Sequence, residues 1–260
     1  MIGHHARTRT VIPEKTIPAA TVNDPEDGPR IADTARVTAG AKVTGRGRVG
    51  VQAVAVGAVT VAEDARLTDH AILAGTASVR GRSTLSGWAT VIEKAGLDGD
   101  AWVFGRAAIA GNASIGGHAQ VFGDAHVDGG AVIGGHSWIH GSAHITGEAW
   151  VHGRSQIGGR ALICGTAVIA GPLRIGGNIV IGDGADIASA TDFETYRLSW
   201  GETVTLYRCD NGTVGIGRSA TNHGPLIDGR THLLDPAIND RVRALAEIWS
   251  AAAPVRSPGT

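Results

Sequence analysis

The sequence predicts an all-β fold, a triangular prism of parallel strands, and three observations predict it. An apolar residue recurs at every sixth position from Ile31 to Ile187 without insertion, and of these 27 positions only Ala55 is not Val, Leu or Ile. A small residue, most often Ala, stands two positions before most of them. A Gly stands two positions after most of them from Gly75 onward. Self-similarity at a fixed period indicates a repeat architecture.

Each hexad is expected to form one short strand and one corner. Because side chains alternate between the two faces of a strand, the apolar residue and the small residue two positions before it point to the same side. Gly tolerates the positive φ that a sharp corner needs, whereas in a helix each Gly would cost about 1 kcal/mol relative to Ala. Three hexads close one coil of 18 residues. Residues 31–190 are therefore predicted to form a parallel β-helix of about nine coils.

Two hexads show the pattern most completely. They are Ile115-Gly116-Gly117-His118-Ala119-Gln120 and Ile181-Gly182-Asp183-Gly184-Ala185-Asp186. On these residues, the segment 31–190 resembles the hexapeptide-repeat left-handed β-helix family, whose repeat is an aliphatic residue, a small or acidic one, two free positions, a small one and one free position. The left hand is implied by the resemblance alone; the periodicity does not show it, and parallel crossovers are ordinarily right-handed. The chain departs from the family pattern by placing Gly mostly at the third hexad position and by having no loop insertions.

The N-terminal segment, residues 1–30, has no hexad register and contains four Pro. Pro and the residue before it favour extended backbone over helix. We expect an extended arm, which is either a flexible leader or an arm that docks onto a partner or a neighbouring subunit.

The C-terminal segment, residues 191–260, is predicted to form a small ββα cap. A hairpin is expected at about 203–218 around the turn Asp210–Gly212, and a helix at about 236–252 with Asp235 as its N-cap. An open β-helix end exposes unpaired backbone, which a cap would cover. This tail resembles the tails of uncharacterised, often phage-encoded, hexapeptide-repeat proteins.

Composition narrows the classes of function. The formal net charge is −1 and the pI is about 6.8, so no nucleic-acid or membrane partner is implied. Cys164 and Cys209 are too few for a disulfide framework. The sequence has no apolar run long enough to span a membrane and no apolar core of a signal peptide. We expect a soluble protein without a signal peptide or a cofactor, located in the cytoplasm or in a phage virion.

Residues 18 positions apart are expected to stack on one face of the prism, and one face collects aromatic side chains. Its two neighbouring columns contain Trp102, Gln120, Trp138 and Gln156, and Phe104, Phe122 and His140. Only 4% of the chain is aromatic, so a contact with another protein is the expected role of this concentration. Simple stacking in a ladder and a platform for a sugar or other ligand are the alternatives.

The following face is mildly apolar along its length. It includes Ile72, Ile92, His126 and Leu162. One apolar face suggests parallel packing of three chains about a threefold axis, and the family's habit of trimerising supports this by analogy. The predicted partners are thus other copies of the chain through this face, and other proteins through the aromatic face or residues 1–30.

His126 and His144 are the candidate catalytic residues if the chain is an enzyme. The resembled family includes acyltransferases, which use a His general base, and carbonic anhydrases, which hold zinc with three His at a subunit interface. This sequence matches neither pattern fully. The loops that interrupt the hexads in the acyltransferases are absent, and no two of the His are five positions apart, as the anhydrase arrangement requires. The His in question are His118, His126, His136, His140, His144 and His152. Solvent-facing ladder positions without a metal are expected, with a metal or anion at a threefold axis near His126 or His144 as the alternative.

The leading hypothesis is a non-enzymatic, homotrimeric rod that serves as a structural or interaction module. A phage virion component, such as a spike, fibre or decoration protein, is its most concrete form, and a scaffold in a bacterial host differs only in its partner. The alternative is a hexapeptide-type acyltransferase that uses an acyl-CoA donor and a His general base.

Overall fold

The hexads build a parallel β-solenoid. The computed structural model describes residues 28–199, 201–219, 226–227 and 236–251. Its first 27 strands follow one another at six-residue steps. They are β1 Arg30–Ile31, β2 Arg36–Val37, β3 Lys42–Val43, β4 Arg48–Val49, β5 Val54–Gly57, β6 Thr60–Val61, β7 Arg66–Leu67, β8 Ile72–Gly75, β9 Ser78–Val79, β10 Thr84–Leu85, β11 Thr90–Val91, β12 Gly96–Leu97, β13 Trp102–Val103, β14 Ala108–Ile109, β15 Ser114–Ile115, β16 Gln120–Val121, β17 His126–Val127, β18 Val132–Ile133, β19 Trp138–Ile139, β20 His144–Ile145, β21 Trp150–Val151, β22 Gln156–Ile157, β23 Leu162–Ile163, β24 Val168–Ile169, β25 Arg174–Ile175, β26 Val180–Ile181 and β27 Asp186–Ile187.

Three parallel sheets of nine strands form the walls of the prism. Every third strand belongs to the same sheet, so that face 1 begins with β1, face 2 with β2 and face 3 with β3. Each strand pairs with strands 18 residues away, as in Val103 with Val121 on face 1 and Ile109 with Val127 on face 2. Coil 1 is β1–β3, coil 2 is β4–β6, and so on to coil 9. The predicted β-helix of about nine coils is confirmed.

The inward residues that the hexad predicts form one continuous core. From Val49 to Ile187 every apolar hexad residue is buried, and nearly all of them are fully so. Ser83, Ser137 and Ser155 are buried at the small position in place of Ala. In the first coil, Ile31 is 43% exposed. Through coil 8, side chains one position before and one position after each apolar residue point outward, and these two columns on each face carry the surface chemistry; in coil 9, Val180 and Asp186 at such positions are buried.

The corners adopt the positive φ that the Gly positions predict. Gly135 has φ of 65°, and a Cβ there would lie 2.5 Å from the carbonyl oxygen of Gly153 in the next coil. Coils therefore approach too closely at these corners for a side chain. Asp69 and Glu93 also have positive φ, and each carboxylate accepts a hydrogen bond from a Gly amide one coil further on, at 3.0 and 2.9 Å.

The C-terminal cap contains the predicted hairpin and helix within a larger sheet. Four antiparallel strands and one helix form it: β28 Phe193–Arg197, β29 Thr203–Arg208, β30 Val214–Ser219, β31 Leu226–Ile227 and α1 Pro236–Ala251. Strands β28 and β31 flank the predicted hairpin and double its number of strands. The proposed N-cap Asp235 and residues 1–27 of the predicted arm lie outside the described residues.

The cap closes the C-terminal end of the β-helix core. Tyr207 on β29 is 1% exposed and belongs to the same apolar cluster as the coils. A Cβ at Gly217 on β30 would lie 2.0 Å from the carbonyl oxygen of Val180, so only Gly permits this approach. The amide of Val180 donates to Thr205 Oγ1 at 3.3 Å. The cap thus gives backbone of the last coil the partners that a further coil would supply.

Helix α1 packs on the other side of the cap sheet. Its buried residues Ile238, Leu245 and Trp249 form a second apolar cluster with β-strand residues Val204 and Leu206. In the part of the chain that the structure describes, no helix combines the length and the apolar character that crossing a bilayer requires.

Candidate functional site

The two predicted His lie next to each other on face 2. His126 on β17 pairs in register with His144 on β20, and their ring centroids are 6.2 Å apart at 71°. His144 Nε2 lies 2.8 Å from Asp128 Oδ2. His126 Nδ1 lies 3.1 Å from the backbone oxygen of Asp124. Sequence analysis gave Asp128 no role, although its position two residues after His126 on the same outward face would have pointed to it.

The His144–Asp128 pair has the chemistry of an oriented imidazole. Burial tends to raise the pKa of Asp128, but hydrogen bonds from Thr146 and His144 outweigh it and hold that pKa below its ordinary value. Because an ionised carboxylate only accepts, Nε2 of His144 carries the proton and Nδ1 remains able to accept one. The two side chains are 44% and 37% exposed. The pair therefore lies on a solvent-accessible face of the prism.

No metal centre accompanies these His in the described residues. Those residues contain no group of three or more His, Cys, Asp or Glu side chains placed to hold one metal ion. A cavity of about 450 Å³ lies at the junction of the last coil and the cap. Its lining includes Leu173, Arg174, Ser189 and Phe193, and neither His126 nor His144 belongs to it.

Coils 2–5 of face 2 carry an uncharged strip, to which the predicted interface residues Ile72 and Ile92 belong. We define the apolar strip as the outward residues of face 2 in coils 2–5: Val54, Val56, Ile72, Ala74, Thr90, Ile92, Ala108 and Ala110. Strands β5 and β8 are four residues long and pair along their whole length, so the ladder is longer here than between the two-residue strands. Val56 and Ile72 are 40% and 37% exposed. Leu162, predicted for the same interface, is half-buried further along face 2, beyond the His pair.

The predicted aromatic residues of face 1 divide into two groups, of which the first is a stacked column. Phe104 and Phe122 stack with centroids 4.9 Å apart and planes within 6°, and Phe122 stacks on His140 at 5.4 Å. Trp102 tilts onto Phe104 at 4.3 Å. His140 ends the column over Gly158, where a Cβ would lie 2.2 Å from the ring. Because these rings cover each other's faces, the column presents mainly ring edges to its surroundings.

Trp138 forms the second group alone. It lies in the neighbouring column between Gln120 and Gln156, is 41% exposed, and has no ring contact within the described residues. Trp102, two coils earlier in the same column, is equally exposed at 43% but donates from Nε1 to Ser86 Oγ at 3.1 Å. Trp138 is thus the aromatic residue of the predicted patch that is most available to a ligand.

One exposed aromatic pair was missed by the sequence analysis. Trp88, 64% exposed, stacks on His70 with centroids 4.0 Å apart. Both lie at the corner between faces 1 and 2, at the third position after an apolar residue. The aromatic patch predicted from the sequence contains only outward strand positions. His70 and Trp88 lie at a corner, and their 18-residue spacing is the signal that predicts their stacking.

Comparison with known proteins gives no family for the chain and one distant structural likeness. No protein-family model matches the chain, and no curated protein sequence matches it. Among solved structures, it is similar to UDP-N-acetylglucosamine acyltransferase from Campylobacter jejuni, with 16% identity and a TM-score of 0.19. That match covers 49% of this chain and 66% of the enzyme, slightly less than two thirds of its length.

The deciding observation belongs to the chain itself, in which an 18-residue register closes 27 short strands into three parallel sheets. The chain is a parallel β-helix built from a hexapeptide repeat. Function depends on the sites that a fold carries, so the surfaces of this β-helix have to be weighed individually.

Proposed function

We propose that this β-helix is a non-enzymatic interaction module that forms a homotrimeric rod through the apolar strip of face 2. The observation that carries the proposal is the strip itself, which contains no charged residue over four coils while Val56 and Ile72 remain exposed. Exposed apolar area costs about 25 cal/mol per Å², and contiguous patches of this kind usually mark interfaces.

Copies of the same chain are the proposed occupants of the strip. A cyclic arrangement buries the same surface in every protomer, and three prisms packed side by side would leave faces 1 and 3 accessible. The habit of trimerising in the family that the sequence resembles supports an assembly of three chains by analogy. The tail resemblance and the uninterrupted hexads support a phage virion as the setting, while a host scaffold would use the same interface with another partner.

Replacing Ile72 with Arg tests the trimer. The variant places a charge in the centre of the strip, and a buried unpaired charge is strongly unfavourable. We expect the parent to sediment as a trimer and Ile72→Arg as a monomer at micromolar concentration. Ser78→Arg is the matched control, because Ser78 holds the same outward position in the same coil on face 3. A monomeric parent, or equal behaviour of both variants, would contradict the proposal.

Acyl transfer is the second candidate function, and the His144–Asp128 pair is the observation that favours it. In such a reaction the acceptor's hydroxyl or amine would attack the thioester carbonyl, and Nδ1 of His144 would take its proton. The carbon–sulfur bond would then break, and the proton would pass to the departing CoA thiolate.

A thiol-release assay separates the two candidates. With a panel of acyl-CoA donors and sugar or amine acceptors, we expect no CoA release above that of the heat-denatured protein. Sustained release that falls by about 100-fold in His144→Ala, within the usual contribution of a general base, would establish acyl transfer and overturn the structural proposal. His136→Ala is the control, since His136 lies at a corner away from Asp128 and stacks on His118.

A further inference from the structure

We propose that face 1 in coils 6–9 binds an acidic polysaccharide that lies along the helix axis. The proposal goes beyond the trimer, which uses face 2. It is based on a group of side chains that we call the basic patch. These are His118, Gln120, His136, Trp138, His140, Arg154, Gln156, Arg160 and Arg174, which lie on face 1 or on the two corners that border it.

The three Arg of the basic patch have no counter-charge in the described part of the chain, whereas His118 lies 3.4 Å from Asp100 Oδ2. Arg154, Arg160 and Arg174 are exposed, and none of them forms an ion pair there. On face 1 and its two corners in coils 6–9 there is one carboxylate, Asp124, and it pairs with Arg106 at 3.4 Å. An anion approaching this surface therefore meets three guanidinium groups and no unpaired acid.

Four outward side chains of the basic patch follow one another at single-coil steps. Gln120, Trp138, Gln156 and Arg174 are register partners on consecutive strands, about 4.8 Å apart. The amides can donate to and accept from hydroxyls, the indole can cover the apolar side of a sugar ring, and the guanidinium can hold a carboxylate or sulfate. Beside Arg174 the neighbouring column ends in Gly176, where a Cβ would meet nothing within 4 Å, so the surface is open for a chain to lie on.

The regular spacing and the exposed chemistry favour a polysaccharide over other polyanions. Single-stranded nucleic acids bind through aromatic ring faces, whereas Phe122 and His140 cover each other here, and the pI of about 6.8 is far from that of nucleic-acid-binding domains. An acidic peptide cannot add as a strand to β16, β19 or β22, because each of these strands already pairs on both sides within the sheet. A surface that repeats at equal steps suits a polymer that also repeats.

Binding to defined polymers tests the proposal. Polygalacturonate supplies carboxylates, dextran sulfate supplies sulfates, neutral dextran lacks charge, and a single-stranded oligonucleotide serves as the competing polyanion. We expect titration calorimetry to show binding of an acidic polysaccharide, stronger than that of the oligonucleotide, and no binding of neutral dextran. Arg154→Ala combined with Arg174→Ala should weaken the binding by about tenfold or more, since hydrogen bonds to charged groups are removed.

Two matched controls locate the site. Arg48→Ala with Arg66→Ala makes the same charge change on the same face in coils 2 and 3, and should leave the affinity nearly unchanged. Trp138→Ala should weaken binding, and Trp102→Ala, at the equivalent position two coils earlier, should do so much less. Circular dichroism confirms that each variant remains folded.

Three outcomes would overturn the proposal. They are no binding of either acidic polysaccharide, equal losses from both arginine pairs, and an oligonucleotide that binds as tightly as the polysaccharides. The polysaccharide variants lie on face 1 or its corner, so a negative binding result would leave the sedimentation result for Ile72→Arg on face 2 unaffected. A monomeric parent, in turn, would contradict the trimer without changing the measured polysaccharide affinity.

Discussion

At the scale of single residues, position in the hexad decides whether a side chain is buried and what it can do. Val121 is fully buried, while its neighbours Gln120 and Phe122 on the same strand face outward. Two positions after each apolar residue, backbone of the next coil approaches so closely that Gly is required at most corners. Within the β-helix, exposed side chains are therefore confined to the outward strand positions and the corner positions that Gly does not occupy.

The first prediction concerns the inward position. Val121→Asp would put a carboxylate into a core whose described residues contain no cation to pair with it, and we expect it to lower the free energy of unfolding by about 3 kcal/mol or more. Urea denaturation followed by circular dichroism measures this. Gln120→Asp adds the same group on the outward side of the same strand and should change the stability far less; comparable losses in the two variants would refute the inward assignment.

Residue-level chemistry could be predicted from the sequence only in part. The 18-residue spacing correctly places His126 beside His144 and Phe104 beside Phe122. It does not fix side-chain rotamers, so neither the bond from His144 Nε2 to Asp128 nor the availability of Trp138 followed from it. These depend on which neighbours compete for each polar atom and each ring face.

At the scale of elements, two-residue strands are stable because each one pairs with strands above and below it. Helix α1 has no such neighbours and depends on side chains for its attachment. Arg241 on the helix donates from Nε to Glu194 Oε2 at 2.9 Å, and Tyr196 also donates to this carboxylate on β28. The bond from Arg241 lowers the pKa of Glu194, with Tyr196 contributing in the same direction.

The second prediction follows from the lowered pKa of Glu194. A carboxyl group whose pKa is lower in the folded protein stabilises the fold above its unfolded pKa, about 4.3 for Glu, and loses that contribution as the pH falls through its folded pKa. We expect the thermal midpoint at 222 nm, where helix α1 contributes, to fall on acidification in this range. In Glu194→Gln the midpoint should already be lower at pH 7 and should fall less on acidification.

Glu247→Gln provides the comparison for this pH dependence, since Glu247 is an exposed acid on the same helix. It should follow the parent curve. Parallel curves for the parent and Glu194→Gln would show that the Glu194–Arg241 pair does not hold the helix.

At the scale of the whole molecule, the periodicity predicted the β-helix and the location of the cap but underestimated the cap sheet. The hairpin was recognisable from its turn Asp210–Gly212, whereas β28 and β31 lack a local turn signal and form by pairing at the two edges of that hairpin. The basic patch was missed for a related reason, because Arg154 and Arg160 lie at corners and join Arg174 only after coils 8 and 9 stack.

Stability in such a molecule passes from coil to coil, because each coil contacts only its neighbours. The ends are then the weakest parts, and the C-terminal end is protected by Tyr207, whose ring lies so close to β30 that a Cβ at Gly215 would be 2.0 Å from it. Loss of this contact should therefore act locally, on the last coils, and leave the middle of the rod intact.

The last prediction tests this one-dimensional behaviour. Tyr207→Ala removes a fully buried ring, which typically costs about 3 kcal/mol or more, from the point where the cap meets the core. Hydrogen exchange followed by mass spectrometry should show loss of protection in coil 9 and the cap, with coils 4 and 5 unchanged. Tyr196→Ala removes a ring from the cap sheet outside the β-helix core and should affect the cap without coil 9. Uniform loss of protection along all coils in Tyr207→Ala would mean that the rod unfolds as a single cooperative unit, and the coil-by-coil account would have to be abandoned.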